Sequence, residues 1–171
     1  MSYFAAALTR TDDGWEGEEL ALDTLPDLDA IADALRDLAT RSDGGGTSLL
    51  FLEEDDEYVA IVRVDGDGDP RVFLSDSRVV ETSRLAAMLY EEAAVEAAEL
   101  AADEDADEDD DDDEPVAAEA DPVGDPDLLA DLGTPGETLL ELCAEEGMLP
   151  ADVITAVCEK AGCIDALEAL R

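Results

Sequence analysis

The residues of this chain whose types and spacing could do chemistry are an aspartate ladder, an acidic run and three cysteines. Asp65-x-Asp67-x-Asp69 opens like a calcium loop, with Asp76 at its twelfth position. Such a loop turns sharply on a glycine at position six and closes on a bidentate glutamate at position twelve. Here position six is Pro70 and position twelve an aspartate, and the segment lies between strand-like runs. A polar turn accounts for the same residues. The run Glu53-Glu54-Asp55-Asp56-Glu57 sets five carboxylates in a row. Clustered carboxylates serve as acid and base, hold magnesium, or present a negative docking patch. The plain alternative is a solvated hairpin tip. Cys143, Cys158 and Cys163 are an odd set confined to the last quarter of the chain, which argues against a disulfide framework. Cys143 and Cys158 each stand one turn before a glycine, so both read as small buried hydrophobes near a helix end.

Absences narrow the chemistry further. The chain has no histidine, asparagine or glutamine. Without imidazole, Ser-His-Asp and Cys-His catalysis are excluded, as are mixed His/Cys zinc sites. No phosphate-binding glycine loop is present, and the HxE with PCxxC signature of nucleotide deaminases is missing. No cofactor, metal site or catalytic residue is expected. The five carboxylates 53–57, with Trp15 as an aromatic that would anchor a partner if exposed, are the candidate partner-binding residues.

Charge selects the kind of partner. Forty-nine acidic and nine basic residues give a formal charge of −40. Residues 1–98 and 128–171 are both net acidic, and residues 99–127 hold sixteen acids and no base. Nucleic-acid binding draws its affinity from clustered Lys and Arg, so direct binding to nucleic acid or to an anionic membrane is not expected. A protein with a basic surface is. The N-terminus lacks a basic stretch ahead of an apolar one and does not read as a signal peptide. With no long apolar run and with reduced thiols, the cytoplasm is the expected location.

The elements that must position these residues are legible in the pattern. Tyr3 to Thr9 and Trp15 to Leu20 flank an Asp-Gly turn and read as a hairpin. Leu28, Ile31, Ala32, Leu35, Leu38 and Ala39 share one helical face, with Thr24 or Asp27 as cap and the turn at Ser42 to Gly46 as stop. Strands follow at 48–52, 58–64 and 71–74, then a cap at Ser75 or Asp76 and a helix over 83–98. The order ββαβββα predicts an α+β fold, a small mixed or antiparallel sheet with helices on a face, over residues 1–98. Residues 99–127, with eleven acids among the twelve positions from Asp103 to Glu114, predict an extended, disordered acidic linker. Residues 128–171 predict a small helical bundle, opened by Asp125-Pro126 and punctuated by Gly133, a Thr134-Pro135-Gly136-Glu137 capping box, Gly147, Pro150 and Gly162. Each helix is too short to persist alone.

Several segments together resemble a known family. They are Tyr3-Phe4-Ala5-Ala6-Ala7-Leu8 with Gly14-Trp15, the helix Leu28 to Leu38, and LLFLEEDDEYVAIVRVDGDGDPRVFLSDSR from Leu49 to Arg78. The acidic middle and GDPDLLADLG at 124–133 complete the pattern. The chain is similar over nearly its whole length to the actinobacterial tRNA adenosine deaminase-associated protein family. The resemblance implies a partner, tRNA adenosine deaminase, and brings no catalytic residues. It makes the chain a non-catalytic accessory protein. The alternatives are an acidic nucleic-acid mimic that occupies other basic proteins, and an enzyme using only carboxylates and a divalent metal.

Overall fold

The computed structural model describes residues 2–42, 46–103 and 121–171, with the side chains of 96–103 left aside. β1 (Tyr3–Thr11) and β2 (Gly14–Glu19) form the first hairpin, and α1 (Leu28–Arg41) follows. β3 (Thr47–Glu54), β4 (Tyr58–Asp65) and β5 (Arg71–Leu74) run as a meander, followed by α2 (Arg84–Asp103). A two-residue strand, β6 (Val123–Gly124), pairs with β5 from inside the span read as linker. α3 (Gly136–Ala144), α4 (Pro150–Ala161) and α5 (Ile164–Glu168) close the chain. The fold is α+β, with an antiparallel sheet ordered β2-β1-β3-β4-β5-β6. Beyond Asp103 the acidic run lies outside the described residues, as do positions 43–45 of the turn after α1.

Period-two alternation divides the strands between two cores. Ala5, Ala7, Leu50, Leu52, Val62 and Leu74 face α1 and α2. The helix α1 contributes Leu28, Ile31, Ala32, Leu35 and Leu38, and the Asp27 carboxylate caps its start by accepting from the Ala30 N–H at 2.9 Å. Ala6, Leu8, Leu49, Phe51, Ile61 and Phe73 face the opposite way, onto Leu128, Leu129, Val153, Ile154, Val157 and Leu167 of the tail. These tail side chains are almost wholly buried, each contributing roughly 1.5–3 kcal/mol. That burial overcomes the weakness of three short helices.

Polar contacts lock the tail in register. The guanidinium of Arg63, 5% exposed, projects from β4 into the second core. It donates to the Leu128 carbonyl at 2.6 Å and makes a two-pronged contact with Asp131 at 2.5 and 2.8 Å. Its Nε donates to Asp65 at 2.9 Å. Arg71 adds contacts to Asp65 and Asp125 at 3.3 and 3.4 Å. Asp125 also accepts from the Asp127 N–H at 2.9 Å, starting the turn as its sequence suggests.

The expected capping box at Thr134 does not form. Thr134 is buried and its Oγ1 finds no hydrogen-bond partner. The first N–H of α3, on Gly136, instead donates to the Asp127 carboxylate at 2.8 Å. A compact turn brings a distant aspartate to the helix end, and the local hydroxyl loses the competition.

Two substitutions test this docking. Gly124 has φ 101°, and a Cβ there would meet the Val72 carbonyl oxygen at 2.1 Å. Gly124→Ala is therefore expected to cost at least ~2 kcal/mol in chemical denaturation. Arg63→Met keeps the apolar stem and removes the charge-assisted hydrogen bonds, an expected loss of about 2 kcal/mol. Hydrogen exchange should then speed up in α3 to α5 before it does in β3 and β4. Uniform exchange across both would sink the idea that Arg63 secures the tail.

Candidate partner-binding surface

Strand alternation separates the five carboxylates of the acidic run. Glu54 points into the first core, 5% exposed, and accepts from the Tyr58 hydroxyl at 2.8 Å and from the Ser83 hydroxyl. Ser83 also caps α2, accepting from the Ala86 N–H at 3.1 Å. Burial leads the causes that push the Tyr58 phenol up, so it stays a donor. Glu53 points to the other face, 3.5 Å from the Arg171 guanidinium, which lies 5.0 Å above the Phe4 ring. Burial raises the Glu53 pKa, Arg171 opposes that, and Asp56 and Asp152 add to it.

Asp55, Asp56 and Glu57 remain exposed at the tip. Asp55 and Asp56 hold left-handed backbone conformations, φ 50° and 58°, which aspartate tolerates better than most residues. The tip is fixed by reciprocal bonds with Ser2: its N–H donates to the Asp55 carboxylate at 3.0 Å and its carbonyl accepts from the Asp55 N–H at 2.9 Å.

Trp15 lies elsewhere. It pairs with Arg10 on the edge strand β2, whereas Glu53 pairs with Phe4 at the other end of β1. Six residues of strand put roughly 20 Å between them. Trp15 is half-buried against the second core.

The aspartate ladder is dispersed by arginines. Against a desolvation penalty, hydrogen bonds from Arg63 and Thr47 hold Asp65 below the usual carboxylate range. Asp76 is held low chiefly by Arg78, and Asp131 chiefly by Arg63. No group of three or more potential ligands converges among the described residues. Burial pushes the Cys143 thiol up to about 12. Contact with Cys163, together with burial, keeps Cys158 protonated. Cys163 donates its N–H to the Cys158 carbonyl at 2.9 Å across the left-handed Gly162, so the two side chains meet as the apolar contact of a helix C-terminal motif.

Two concavities escaped the sequence. A groove of about 540 Å³ runs between the start of α1 and α2, with Asp27, Asp29, Asp69, Glu91 and Glu92 around Arg84 and Met88. A cleft of about 110 Å³ lies between the acidic tip and the α3–α4 connection. Both join segments far apart in the chain, and no local pattern announces them. Among the described residues no helix is long and apolar enough to cross a membrane.

A family model described as Rv3753c-like tRNA adenosine deaminase-associated protein matches residues 3–164. No curated protein and no solved structure gives a significant match.

The ionic contacts set a pH dependence. Asp65, Asp76 and Asp131 have folded pKa values below their ordinary ones. Their contribution is complete above about pH 4 and is lost as pH falls through the depressed values. Glu53 has the opposite sign: its raised folded pKa means that acidification first relieves a penalty. Self-repulsion from the −40 charge relaxes over the same range. The melting temperature should therefore rise from pH 7 toward about 5 and fall below about 3. A steady decline from pH 7 downward in calorimetric scans would contradict this assignment.

Proposed function

This chain belongs to the tRNA adenosine deaminase-associated protein family, and from that membership we propose an accessory protein without catalytic activity of its own. Its partner is tRNA adenosine deaminase, the enzyme that edits wobble adenosine to inosine. The observation that carries the reading is the family match over residues 3–164. The side-chain chemistry supports it. The chain lacks histidine, Cys158 and Cys163 are buried, and Asp65 and Asp76 are held by arginines.

Electrostatics supports the kind of contact. An enzyme that binds tRNA presents a basic surface. A chain of formal charge −40 is steered toward such a surface and away from the tRNA itself. Of the sequence candidates, Asp55, Asp56 and Glu57 are exposed, which supports assigning the partner contact to them. Glu53 and Glu54 support the tip from behind through hydrogen bonding, and Trp15 packs on the second core away from it. Meeting in the cytoplasm follows from the partner's substrate.

Calorimetric titration of the full chain with purified tRNA adenosine deaminase, at low and high salt, tests this directly. Micromolar or tighter binding is expected at low salt, weakening as salt rises, with tRNA competing for the same surface. Absence of heat at either salt, together with no co-elution, would remove the deaminase as a physical partner.

A further inference from the structure

Among the described residues, Val95 and Leu149 are the large apolar side chains left exposed, at 53% and 49%. Leu149 occupies the N-cap of α4. Local structure gives no reason for leucine there. An N-cap favours a side chain with an oxygen that accepts from the helix, and an aliphatic residue forfeits about 1 kcal/mol. The backbone compensates in part: the Leu149 N–H donates to the Asp152 carboxylate at 3.2 Å. Leu149 is thus unfavourable twice, as an aliphatic cap and as exposed apolar surface.

Its chain neighbours Met148 and Pro150 line the cleft of about 110 Å³, with Cys143 behind them. The opposite wall carries Asp56 and Glu57 from the acidic tip. The volume is far below the ~300 Å³ at which small-molecule pockets begin. It has room for one side chain. A stable protein contact needs a desolvated apolar anchor, while charges supply steering and orientation. The cleft offers both within one concavity. Leu149 itself stands between two lining residues of the cleft, Met148 and Pro150, and not in the lining. The larger groove between α1 and α2 has more carboxylates, and Leu149 lies nowhere along its lining segments.

We propose that the cleft between the β3–β4 tip and the α3–α4 connection is a docking site for a protein segment carrying one large apolar side chain flanked by lysines or arginines. The apolar side chain enters beside Met148 and Pro150 and packs on Leu149. The flanking cations meet Asp56 and Glu57. Charge complementarity selects this occupant over a second copy of the chain, because two such acidic rims repel. That the segment belongs to tRNA adenosine deaminase rests on the preceding reading; the character of the site does not.

Two measurements separate these points. The first titrates full-length variants with the purified deaminase. Leu149→Ala should weaken binding about tenfold or more while leaving the salt dependence intact. The pair Asp56→Asn with Glu57→Gln should weaken binding at low salt and flatten the salt dependence. The pair Asp29→Asn with Glu91→Gln makes the same change in net charge in the other groove and should have no effect. Equal losses for both charge pairs, or none for Leu149→Ala, would overturn the assignment.

The second measurement maps amide shifts of isotope-labelled full chain against a synthetic peptide with one leucine between lysines. A peptide with alanine in place of leucine is the control. Shifts concentrated at Asp56, Glu57, Cys143, Met148 and Leu149, lost with the control, support the site even if the deaminase itself does not bind. Shifts confined to the 104–120 run or to the α1–α2 groove, or indifferent to the leucine, reject it. Leu149 is exposed, so the variants should fold; unchanged spectra of the free proteins check this.

Discussion

The central strands β3 and β4 are apolar on both faces, and a sheet of that kind is insoluble until it is covered twice. Thr47–Glu54 and Tyr58–Asp65 are buried almost end to end. The helices α1 and α2 cover one face. The chain must then find a second cover, and the 44 residues after position 127 supply it. The tail is therefore the missing half of a core. Its helices gain from the sheet the burial they lack alone, and the sheet gains protection of Phe51, Ile61 and Phe73 from water. Arg63 sets where that cover sits. Apolar contact alone would allow three short helices to slide, whereas a buried guanidinium satisfied by one carbonyl and one carboxylate fixes the turn at 125–132 in a single place.

Much of this was legible. Period-two runs, the Leu28 to Leu38 stripe and the glycine and proline stops gave β1 to β5 and the helices in their observed order, but not β6, which falls in the span read as linker. What local pattern cannot give is a contact spanning 68 residues, as between Arg63 and Asp131. The Thr134 cap failed for the same reason. Sequence proximity favoured the hydroxyl, and folding delivered the stronger acceptor, Asp127, from nine residues away. In the acidic run, alternation alone implied that Glu53 and Glu54 face opposite ways. Only the fold shows one meeting Arg171 and the other Tyr58 and Ser83. The cleft beside Leu149 had no local signal beyond a leucine where a cap belongs.

Charge is distributed in a way that separates stability from recognition. Among the described residues, six of the nine basic side chains pair with a carboxylate: Arg36, Arg41, Arg63, Arg71, Arg78 and Arg171. Most of these tie one element to another, so the few cations are spent on architecture. The exposed pairs are worth little each; the buried Arg63 contact carries structural weight because its guanidinium has no water to fall back on. Among the described residues, carboxylates such as Asp12, Asp13, Asp55, Asp56 and Glu57 are exposed to solvent. They raise the on-rate toward any basic surface, and by themselves they would discriminate poorly among basic partners.

Discrimination then has to come from shape and apolar contact. A cleft that admits one side chain, bordered by an aliphatic residue that its own helix does not favour, adds what diffuse charge lacks: a position at which a wrong partner leaves a leucine in water and a cavity unfilled. One wall of the cleft is the docked tail: Cys143, Met148 and Pro150 reach Asp56 and Glu57 of the β3–β4 tip only because α3 and α4 lie on the second face of the sheet. The double-sided core that makes the chain fold is thus the same constraint that assembles its recognition surface. Loosening the tail would dissolve the cleft while leaving the net charge untouched. Steering would survive and specificity would not.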